Sequence, residues 1–237
     1  LPLSCALIPM PRLAPWFATA GVALICSCGT PPDMSIPSID RVLAAKARVG
    51  TEVSASLAYL NLAMGDPVVL LAFKEERQLE AWCRSVEGDW IRWKTFPILA
   101  ASGNPGPKER EGDRQVPEGT YGILRKGMNP KSDYHLGMNI GYPSDHDLRL
   151  GRTGSAIMIH GDRVSIGCLA MGDDAIERLY LLVDAALAGG EREVPVHIYP
   201  FRMTPDACAA HAGPGWHPSW DALKSEYERL QRMLAGG

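Results

Sequence analysis

The chain has 237 residues, 46% of them hydrophobic, and a formal net charge of −3 at pH 7. This length suits one sizeable domain with extensions, and the hydrophobic share supports a packed core, which excludes wholesale disorder. A near-neutral chain without a basic stripe and interleaved aromatic residues does not fit a nucleic-acid-binding protein.

Residues 1–29 are predicted to form a signal peptide or a lipoprotein signal. Arg12 precedes an apolar run, Leu13 to Ile25, and small residues follow it, which is the order of regions in an export signal. The run is short and contains Pro15, so it does not fit a membrane-spanning helix. Cys28 lies in a degenerate lipoprotein cleavage box, so lipidation of Cys28 and simple cleavage nearby both stay open. A lipid anchor is therefore the only membrane attachment that the sequence suggests.

The segment from residue 30 to 65 is predicted to be a linker followed by an N-terminal helical segment. Pro and Ser dominate up to Pro37, and apolar residues then recur at helical spacing from Ser38 to Met64. Gly65-Asp66-Pro67 is a stop signal, so one or two helices are expected to end there.

A β-rich region follows, with turns rich in Gly and Pro. Strands are predicted at Val68–Phe73, Leu79–Val86, Trp90–Ile98, Tyr121–Arg125 and Val194–Tyr199, with a hairpin turn at Gly88-Asp89. Ala101–Gly119 reads as a long loop of functional type, and Asn129–Pro143 as another irregular stretch. Helices are predicted at Ala175–Ala188 and, after a Pro/Gly-rich linker, from about Trp220 to Leu234. The second of these helices is expected either to dock on the domain or to bind a substrate or partner.

The segment Ile159–Met171 carries the strongest chemical signal. An apolar run, Ala156 to Ile159, is typical of a short buried strand and leads into His160, and Cys168 follows after a loop with two glycines. A thiol becomes a nucleophile when a nearby base takes its proton. The pattern therefore favours a cysteine nucleophile, Cys168, with His160 as its base.

This segment resembles the catalytic segment of the L,D-transpeptidases of the YkuD fold, and in particular their divergent murein branch, with the compact form IHG…SxGCxxM. Further blocks resemble the family in the same order: Gly106-Pro107-Lys108, Glu111-Gly112-Asp113-Arg114, Pro117-Glu118-Gly119-Thr120-Tyr121, Asn139-Ile140-Gly141-Tyr142-Pro143 and Ile198 to Met203. The resemblance implies a β-rich α+β fold, a β-sandwich with flanking helices. It places the catalytic domain at residues 66–204 and a linker with a C-terminal helix at 205–237.

Two departures from the common form of the family stand inside the motif. Ile166 occupies the place of a second histidine, and Leu169-Ala170 stands where an arginine is expected. These departures favour hydrolysis or a specialised amide exchange over ordinary cross-linking.

Backbone N–H groups of Ile166, Gly167 and Cys168 are the natural donors to the oxyanion of an attacked carbonyl, since none of these residues is proline. Ser165 occupies the serine position of the family motif, with either a loop hydrogen bond or a substrate contact as its role.

Four residues are candidates to bind substrate. Arg163 offers a guanidinium fork that matches a carboxylate, although a surface charge explains it equally well. Tyr142 and Asn139 are candidates to contact peptide backbone, and Arg114 to line a substrate groove from the long loop. Asp162 is a further candidate, to orient His160, although a solvated turn carboxylate is the more ordinary interpretation.

Cofactor chemistry has no support in the sequence. No CxxC, HxH or HExxH pattern occurs, and the histidines are scattered, so neither a metal nor another cofactor is expected. Cys83 and Cys208 are expected either to pair or to remain single buried thiols.

The resemblance implies an exported cysteine enzyme in the periplasm or cell envelope that acts on peptidoglycan stem peptides at the meso-diaminopimelate centre. The acyl group on Cys168 would pass to an amine or to water, and a peptidoglycan-linked lipoprotein is a candidate partner. A non-catalytic peptidoglycan-binding module on the same fold is the alternative. The presence of both His160 and Cys168 speaks against it, because a binding module needs neither side chain.

Overall fold

The computed structural model of the protein describes residues 38–236, with side chains from Arg41 onward. The helices are α1 (Ser38–Ala58), α2 (Asp145–Arg149), α3 (Asp173–Ala188), α4 (Pro205–Ala210) and α5 (Trp220–Leu234). The strands are β1 (Val68–Phe73), β2 (Gln78–Arg84), β3 (Trp90–Pro97), β4 (Ala100–Ala101), β5 (Gly119–Leu124), β6 (Met128–Asn129), β7 (Gly137–Asn139), β8 (Met158–His160), β9 (Leu169–Ala170) and β10 (Glu193–Tyr199). The predicted signal at 1–29 and the linker at 30–37 lie outside the described residues.

The first sheet has the strand order β3-β2-β1-β10-β5, with β1 parallel to β10 and the other pairs antiparallel. Every residue of the central strand β1 is buried. Because side chains alternate across a strand, Leu70 and Ala72 face one apolar cluster, whereas Leu71 and Phe73 face another. The sheet is thus a middle layer that is covered on both faces.

The second sheet has the order β4-β9-β8-β7-β6, in which only β8 and β9 run parallel. Met138, Ile159 and Leu169 are directly paired across its three inner strands and are fully buried in the larger apolar cluster. This face of the second sheet packs toward the first sheet, together with α1 and α3. The predicted β-rich sandwich with flanking helices is confirmed.

The hairpin of β2 and β3, the strand β10 and the helices α3 and α5 confirm the sequence prediction to within a few residues. Helix α5 buries Trp220, Tyr227 and Leu230 against the outer face of the first sheet. It is therefore docked on the domain. None of the helices that the structure describes is long and apolar enough to cross a membrane.

The first helix ends earlier than predicted, at Ala58 rather than near Met64. Asn61 adopts a left-handed conformation with φ of 57°, and the N–H of Leu62 donates to the carbonyl of Leu57 at 3.0 Å. Asparagine tolerates this conformation and commonly ends a helix in it. Helix α1 therefore ends at the turn that contains Asn61, and Gly65-Asp66-Pro67 lies beyond the end of the helix.

The sequence prediction missed several short elements, namely the strands β4, β6, β7 and β9 and the helices α2 and α4. Strand β7 has three residues, two of which, Gly137 and Asn139, are poor strand formers. Helix α2 has a capping box between Ser144 and Asp147 that a closer inspection of the sequence would find. Helix α4 begins after the N-cap Thr204 inside the predicted linker.

Candidate active site

Parallel pairing of β8 and β9 brings the histidine and the cysteine to one face of the second sheet. Ile159 pairs with Leu169 and His160 with Ala170, so Cys168, one residue before β9, lies level with Met158. The N–H of Met158 approaches the Cys168 sulfur at 3.4 Å. Since alternate residues share a face, Cys168 and His160 are diagonal neighbours on the face opposite the buried core.

Strand β8 itself is shifted from its predicted position. It covers Met158–His160, whereas the prediction was Ala156 to Ile159. Ala156 has a φ of 53°, outside the extended region, so it cannot belong to the strand. The shift places His160 within the strand, where its ring direction is set by the pleat and by its backbone hydrogen bonds.

The His160 ring is buried and neutral. Its side chain is 2% exposed, and Nδ1 lies 2.6 Å from the carbonyl oxygen of Gly161. A carbonyl can only accept, so Nδ1 carries the proton and Nε2 keeps its lone pair. Burial lowers the pKa of His160, which favours this neutral form. The ring therefore has the tautomer that a general base requires, and the Gly161 carbonyl, rather than Asp162, orients it.

Cys168 is half-buried, and burial raises the pKa of its thiol, opposed by the Met158 N–H and by the positive charge of Lys108. The resting pair is thus a neutral thiol beside a neutral imidazole. Among the hydrogen bonds of residues 38–236, none joins His160 to Cys168. Proton transfer therefore requires the thiol and the imidazole to approach each other, as catalytic hydrogen bonds often tighten only with substrate bound.

Ser165 shapes the loop before Cys168. Its hydroxyl donates to the Cys168 carbonyl at 2.6 Å and accepts from the N–H groups of Cys168 at 3.0 Å and Gly167 at 3.3 Å. Gly167 has a φ of 131°, a conformation that L side chains rarely adopt. Two of the three expected oxyanion donors are thus engaged by Ser165. The Ile166 N–H, beside an exposed side chain, donates to no other group in the described part of the chain.

The long loop between β4 and β5 packs against this cysteine loop. A Cβ built on Gly103 would lie on the Gln115 side chain, and one built on Gly167 would lie 3.5 Å from the Gln115 carbonyl oxygen. The Gln115 side chain therefore packs against Gly103 of the long loop, and its carbonyl group lies against Gly167 of the cysteine loop. Lys108 is buried within the loop, where its ammonium donates to Asp113 at 2.6 Å and to the Arg110 carbonyl at 2.9 Å.

A buried ion pair anchors the loop to the rest of the domain. Lys74 donates to Glu118 at 2.9 Å and to the carbonyls of Gly106 and Val116. The second oxygen of Glu118 accepts from the Trp220 indole at 2.8 Å. All three ammonium protons of Lys74 are bonded, as buried charges require. The loop beside Cys168 is thereby tied to both β1 and α5.

The four predicted substrate-binding residues lie in different environments. Tyr142 is 4% exposed, and its hydroxyl donates to the carbonyls of Lys108 and Thr153. The prediction that Tyr142 contacts the backbone of a substrate peptide does not fit this burial. The tyrosine instead supports the long loop through the Lys108 carbonyl. Asn139 is half-buried on β7, where its side chain accepts from the Gly141 N–H at 2.8 Å.

The two arginines are exposed. Arg114 has a φ of 57° on the surface of the long loop. Arg163 lines a groove of about 540 Å³ beside the start of α3, together with Arg178 and the apolar side chains of Phe96 and Met171. Arg163 thus lies close in sequence to His160, but three carboxylates, Asp162, Asp173 and Asp174, line the same groove, so the groove as a whole does not favour an anionic ligand.

Two residues near the site were not among the predicted site residues. The Tyr134 ring packs on the His160 ring in a tilted arrangement, with centroids 4.7 Å apart. Ser102 follows β4, whose pairing with β9 ends at Ala101 opposite Leu169, the residue after Cys168. The Ser102 hydroxyl is buried with no hydrogen-bond partner among the described residues. No local pattern marks Ser102, because only the pairing of β4 with β9 brings it near the cysteine.

The two other cysteines of the described residues lie buried in the core. Cys83 and Cys208 are buried free thiols in different apolar clusters, and burial raises the pKa of Cys83 to about 12. Within residues 38–236 no group of three or more histidine, cysteine or carboxylate side chains is arranged to hold a metal ion.

Comparison with known proteins agrees with this architecture. The family model of the YkuD L,D-transpeptidase catalytic domain matches residues 67–198. The chain is 38% identical over 177 residues to "Putative L,D-transpeptidase YafK" of Escherichia coli strains K12 and O157:H7, which covers 75% of this chain and 72% of that protein.

Two solved structures are more distant. The helical cell shape determining protein Pgp2 of Campylobacter jejuni is 22% identical with a TM-score of 0.45, and the match covers 62% of this chain and 54% of Pgp2. Bd1075 of Bdellovibrio bacteriovorus is 21% identical with a TM-score of 0.40, covering 70% of this chain and 56% of that protein. This chain therefore spans little more than half the length of either.

The extent of the family match, together with the YafK relative, defines the class of protein. The chain belongs to the YkuD family of L,D-transpeptidase catalytic domains.

Proposed function

We propose that this protein is an exported cysteine enzyme that acts on peptidoglycan stem peptides at the meso-diaminopimelate centre. The observation that carries the proposal is the half-buried Cys168 on the same sheet face as the buried, neutral His160, in a chain of the L,D-transpeptidase family. The predicted signal at 1–29 supports a location in the periplasm or cell envelope, with Cys28 as the candidate lipid anchor.

The proposed reaction begins with acylation of the cysteine. The Cys168 sulfur attacks the carbonyl carbon of the donor amide, and His160 Nε2 takes the thiol proton. The resulting oxyanion is bound by the Ile166 N–H and by the Gly167 and Cys168 N–H groups, when Ser165 releases them. The carbon–nitrogen bond then breaks, His160 returns the proton to the leaving amine, and a thioester remains on Cys168.

Deacylation repeats the same proton transfers with a new nucleophile. An amine or a water molecule gives a proton to His160 and attacks the thioester, after which the Cys168 thiol is regenerated. Amine attack gives a transpeptidase product. Water attack gives an amidase, whose candidate substrate is a lipoprotein linked to diaminopimelate. The exposed Ile166 side chain stands where the common family form has a second histidine, and this departure favours the amidase.

Mass spectrometry with defined muropeptides tests the proposal. One set of incubations contains tetrapeptide donors with amine acceptors, and the other contains diaminopimelate joined to a lysine-ended peptide. Joined products identify a transpeptidase, and release of the lysine-ended peptide identifies an amidase.

The matched control is Cys168→Ala, which should lose turnover by at least about 10³-fold while its melting temperature stays close to that of the parent. Product formation by Cys168→Ala at the parent rate would contradict the mechanism. Muropeptide binding without any product from the parent would instead identify a non-catalytic binding module.

A further inference from the structure

Helix α1 contacts the segment that covers the His160 ring, although α1 lies before the residues matched by the family domain. The Arg41 guanidinium donates from one nitrogen to the carbonyls of Ser132 at 2.7 Å and His135 at 2.9 Å. These two carbonyls flank Tyr134. A residue of α1 therefore fixes the backbone on both sides of the tyrosine that packs on His160.

A second link from α1 reaches the same segment. Arg48 donates to Glu177 of α3, which is 4% exposed, and the other contact of this carboxylate is His135 Nε2 at 2.7 Å. His135 has a φ of 70°, a left-handed conformation that a non-glycine residue adopts only when its surroundings hold it. The Arg48–Glu177–His135 network supplies that support.

The segment is in direct contact with the base. The Tyr134 and His160 ring centroids are 4.7 Å apart with an angle of 33° between planes, which is within the range of favourable aromatic pairs. The N–H of Gly161 donates to the Leu136 carbonyl at 3.0 Å, and a Cβ on Gly161 would lie 2.7 Å from the Tyr134 carbonyl oxygen. The segment that carries Tyr134 therefore contacts both the ring of His160 and the backbone of the next residue, Gly161.

We propose that α1 is part of the catalytic unit: Arg41 and the Arg48–Glu177–His135 network hold Tyr134 on the ring of His160 and so set the position from which His160 takes the Cys168 proton. Arg41 and Tyr134 are positioning residues, because both act through His160. The inference rests on the proposed function in that His160 is the base of Cys168. A displacement of about 1 Å in a reacting group can cost about 10²-fold in rate, so a partial loosening should give a smaller loss.

The test measures the rate of Cys168 alkylation by iodoacetamide in the whole protein at pH 7.5, with peptide mapping to separate Cys168 from the other thiols. This rate needs no peptidoglycan substrate. His160→Ala is the reference and should slow alkylation by about 10²-fold, the lower end of general-base contributions. Arg41→Gln and Tyr134→Ala should each slow it by about tenfold, an intermediate loss.

Two control variants separate positioning from general structure. Tyr134→Phe keeps the aromatic ring and should restore the parent rate, and Lys46→Met, an exposed change on the same helix, should leave the rate within about twofold. Tyr134 is 40% exposed, so its replacement by alanine leaves the core intact. If Arg41→Gln melts below the assay temperature, the comparison of Tyr134→Ala with Tyr134→Phe decides.

Each outcome has one meaning. If His160→Ala slows alkylation but Arg41→Gln and Tyr134→Ala match the parent, α1 has no positioning role and the proposed function stands. If His160→Ala leaves the rate unchanged, His160 is not the base, and both the proposed mechanism and this inference fail. Equal slowing by Tyr134→Phe and Tyr134→Ala would overturn the role of the aromatic ring.

Discussion

Two buried histidines, one in each sheet, resemble each other closely and differ in what surrounds them. His160 on β8 is 2% exposed and His197 on β10 is 6% exposed. Each forms one close hydrogen bond through Nδ1, to the Gly161 carbonyl and to the Thr120 hydroxyl. Burial lowers the pKa of both imidazoles, and that of His197 falls to about 4.

The neighbours of the two rings decide their roles. His197 lies inside a five-stranded sheet, stacked in parallel with Tyr199 and facing Glu226 of α5. His160 has the half-buried thiol of Cys168, one residue before the next strand β9, as its diagonal neighbour. A lowered pKa thus marks a buried histidine in either case, and a reactive partner on the same sheet face distinguishes the candidate site from the core.

Replacing each histidine in turn gives the largest expected contrast. His160→Gln should lower kcat/KM by about 10²- to 10⁴-fold, because the thiol then lacks its base. His197→Gln should leave kcat/KM within about twofold below its melting temperature. Steady-state rates on the muropeptide that the parent converts provide the measurement, and a comparable loss in His197→Gln would erase the distinction.

The buried ion pair of Lys74 and Glu118 allows the same contrast, between a buried and an exposed group, to be tested for charged side chains. Glu118→Gln leaves the Lys74 ammonium buried beside a neutral amide, and the free energy of unfolding should fall by about 3–5 kcal/mol. Urea unfolding measures this change.

The matched control for that pair is Glu75→Gln. The half-exposed Glu75 pairs with His211 on the surface, and its loss should stay within about 1 kcal/mol. Similar values for the two variants would mean that Lys74 is not held by Glu118.

The loop before the cysteine provides an intermediate effect. Ser165→Ala leaves the N–H groups of Gly167 and Cys168 without their acceptor and should cost about 1–3 kcal/mol of stability. The turnover number should fall as well, since the loop that presents Cys168 loosens. Ser155→Ala, at an exposed position, is the control. An increased turnover number in Ser165→Ala would show that the freed N–H groups serve the oxyanion better than Ser165 allows.

The pH profile of activity separates the chemistry of His160 from simple burial. Only neutral His160 accepts a proton, and burial places its pKa below the usual 6.5. The value of kcat/KM should therefore stay level down to about pH 6.5 and fall only at lower pH. An acid limb centred above pH 6.5 would contradict the neutral resting pair.

The smallest expected effect concerns stability near His197. The folded pKa of about 4 lies below the unfolded value of 6.5, so the unfolded chain binds the proton first and acid destabilises the fold. Between pH 7.5 and 5.5 this group should account for a loss of about 1 kcal/mol. His197→Phe should remove that part of the loss in urea unfolding, and an unchanged pH slope would place the effect elsewhere.

Features that depend on local pattern follow from the order of residues alone. Alternation and apolar runs predicted β1, the β2–β3 hairpin and β10, and helical spacing predicted α3 and α5. The motif of His160, Ser165, Gly167 and Cys168 predicted the candidate pair from residue types and their order along the chain, whereas their proximity depends on the parallel pairing of β8 with β9. The family resemblance rests on the same local order and is confirmed by the domain match to residues 67–198.

Features that depend on long-range packing required the folded structure. The burial of Tyr142, the engagement of the Gly167 and Cys168 N–H groups by Ser165, and the position of Tyr134 on His160 each depend on contacts that no local pattern encodes. Arg41 contacts carbonyls more than ninety residues away, and a carbonyl carries no side-chain signal in the sequence. A sequence names the groups able to react, whereas packing decides which of them are exposed, which are paired and which are held in place.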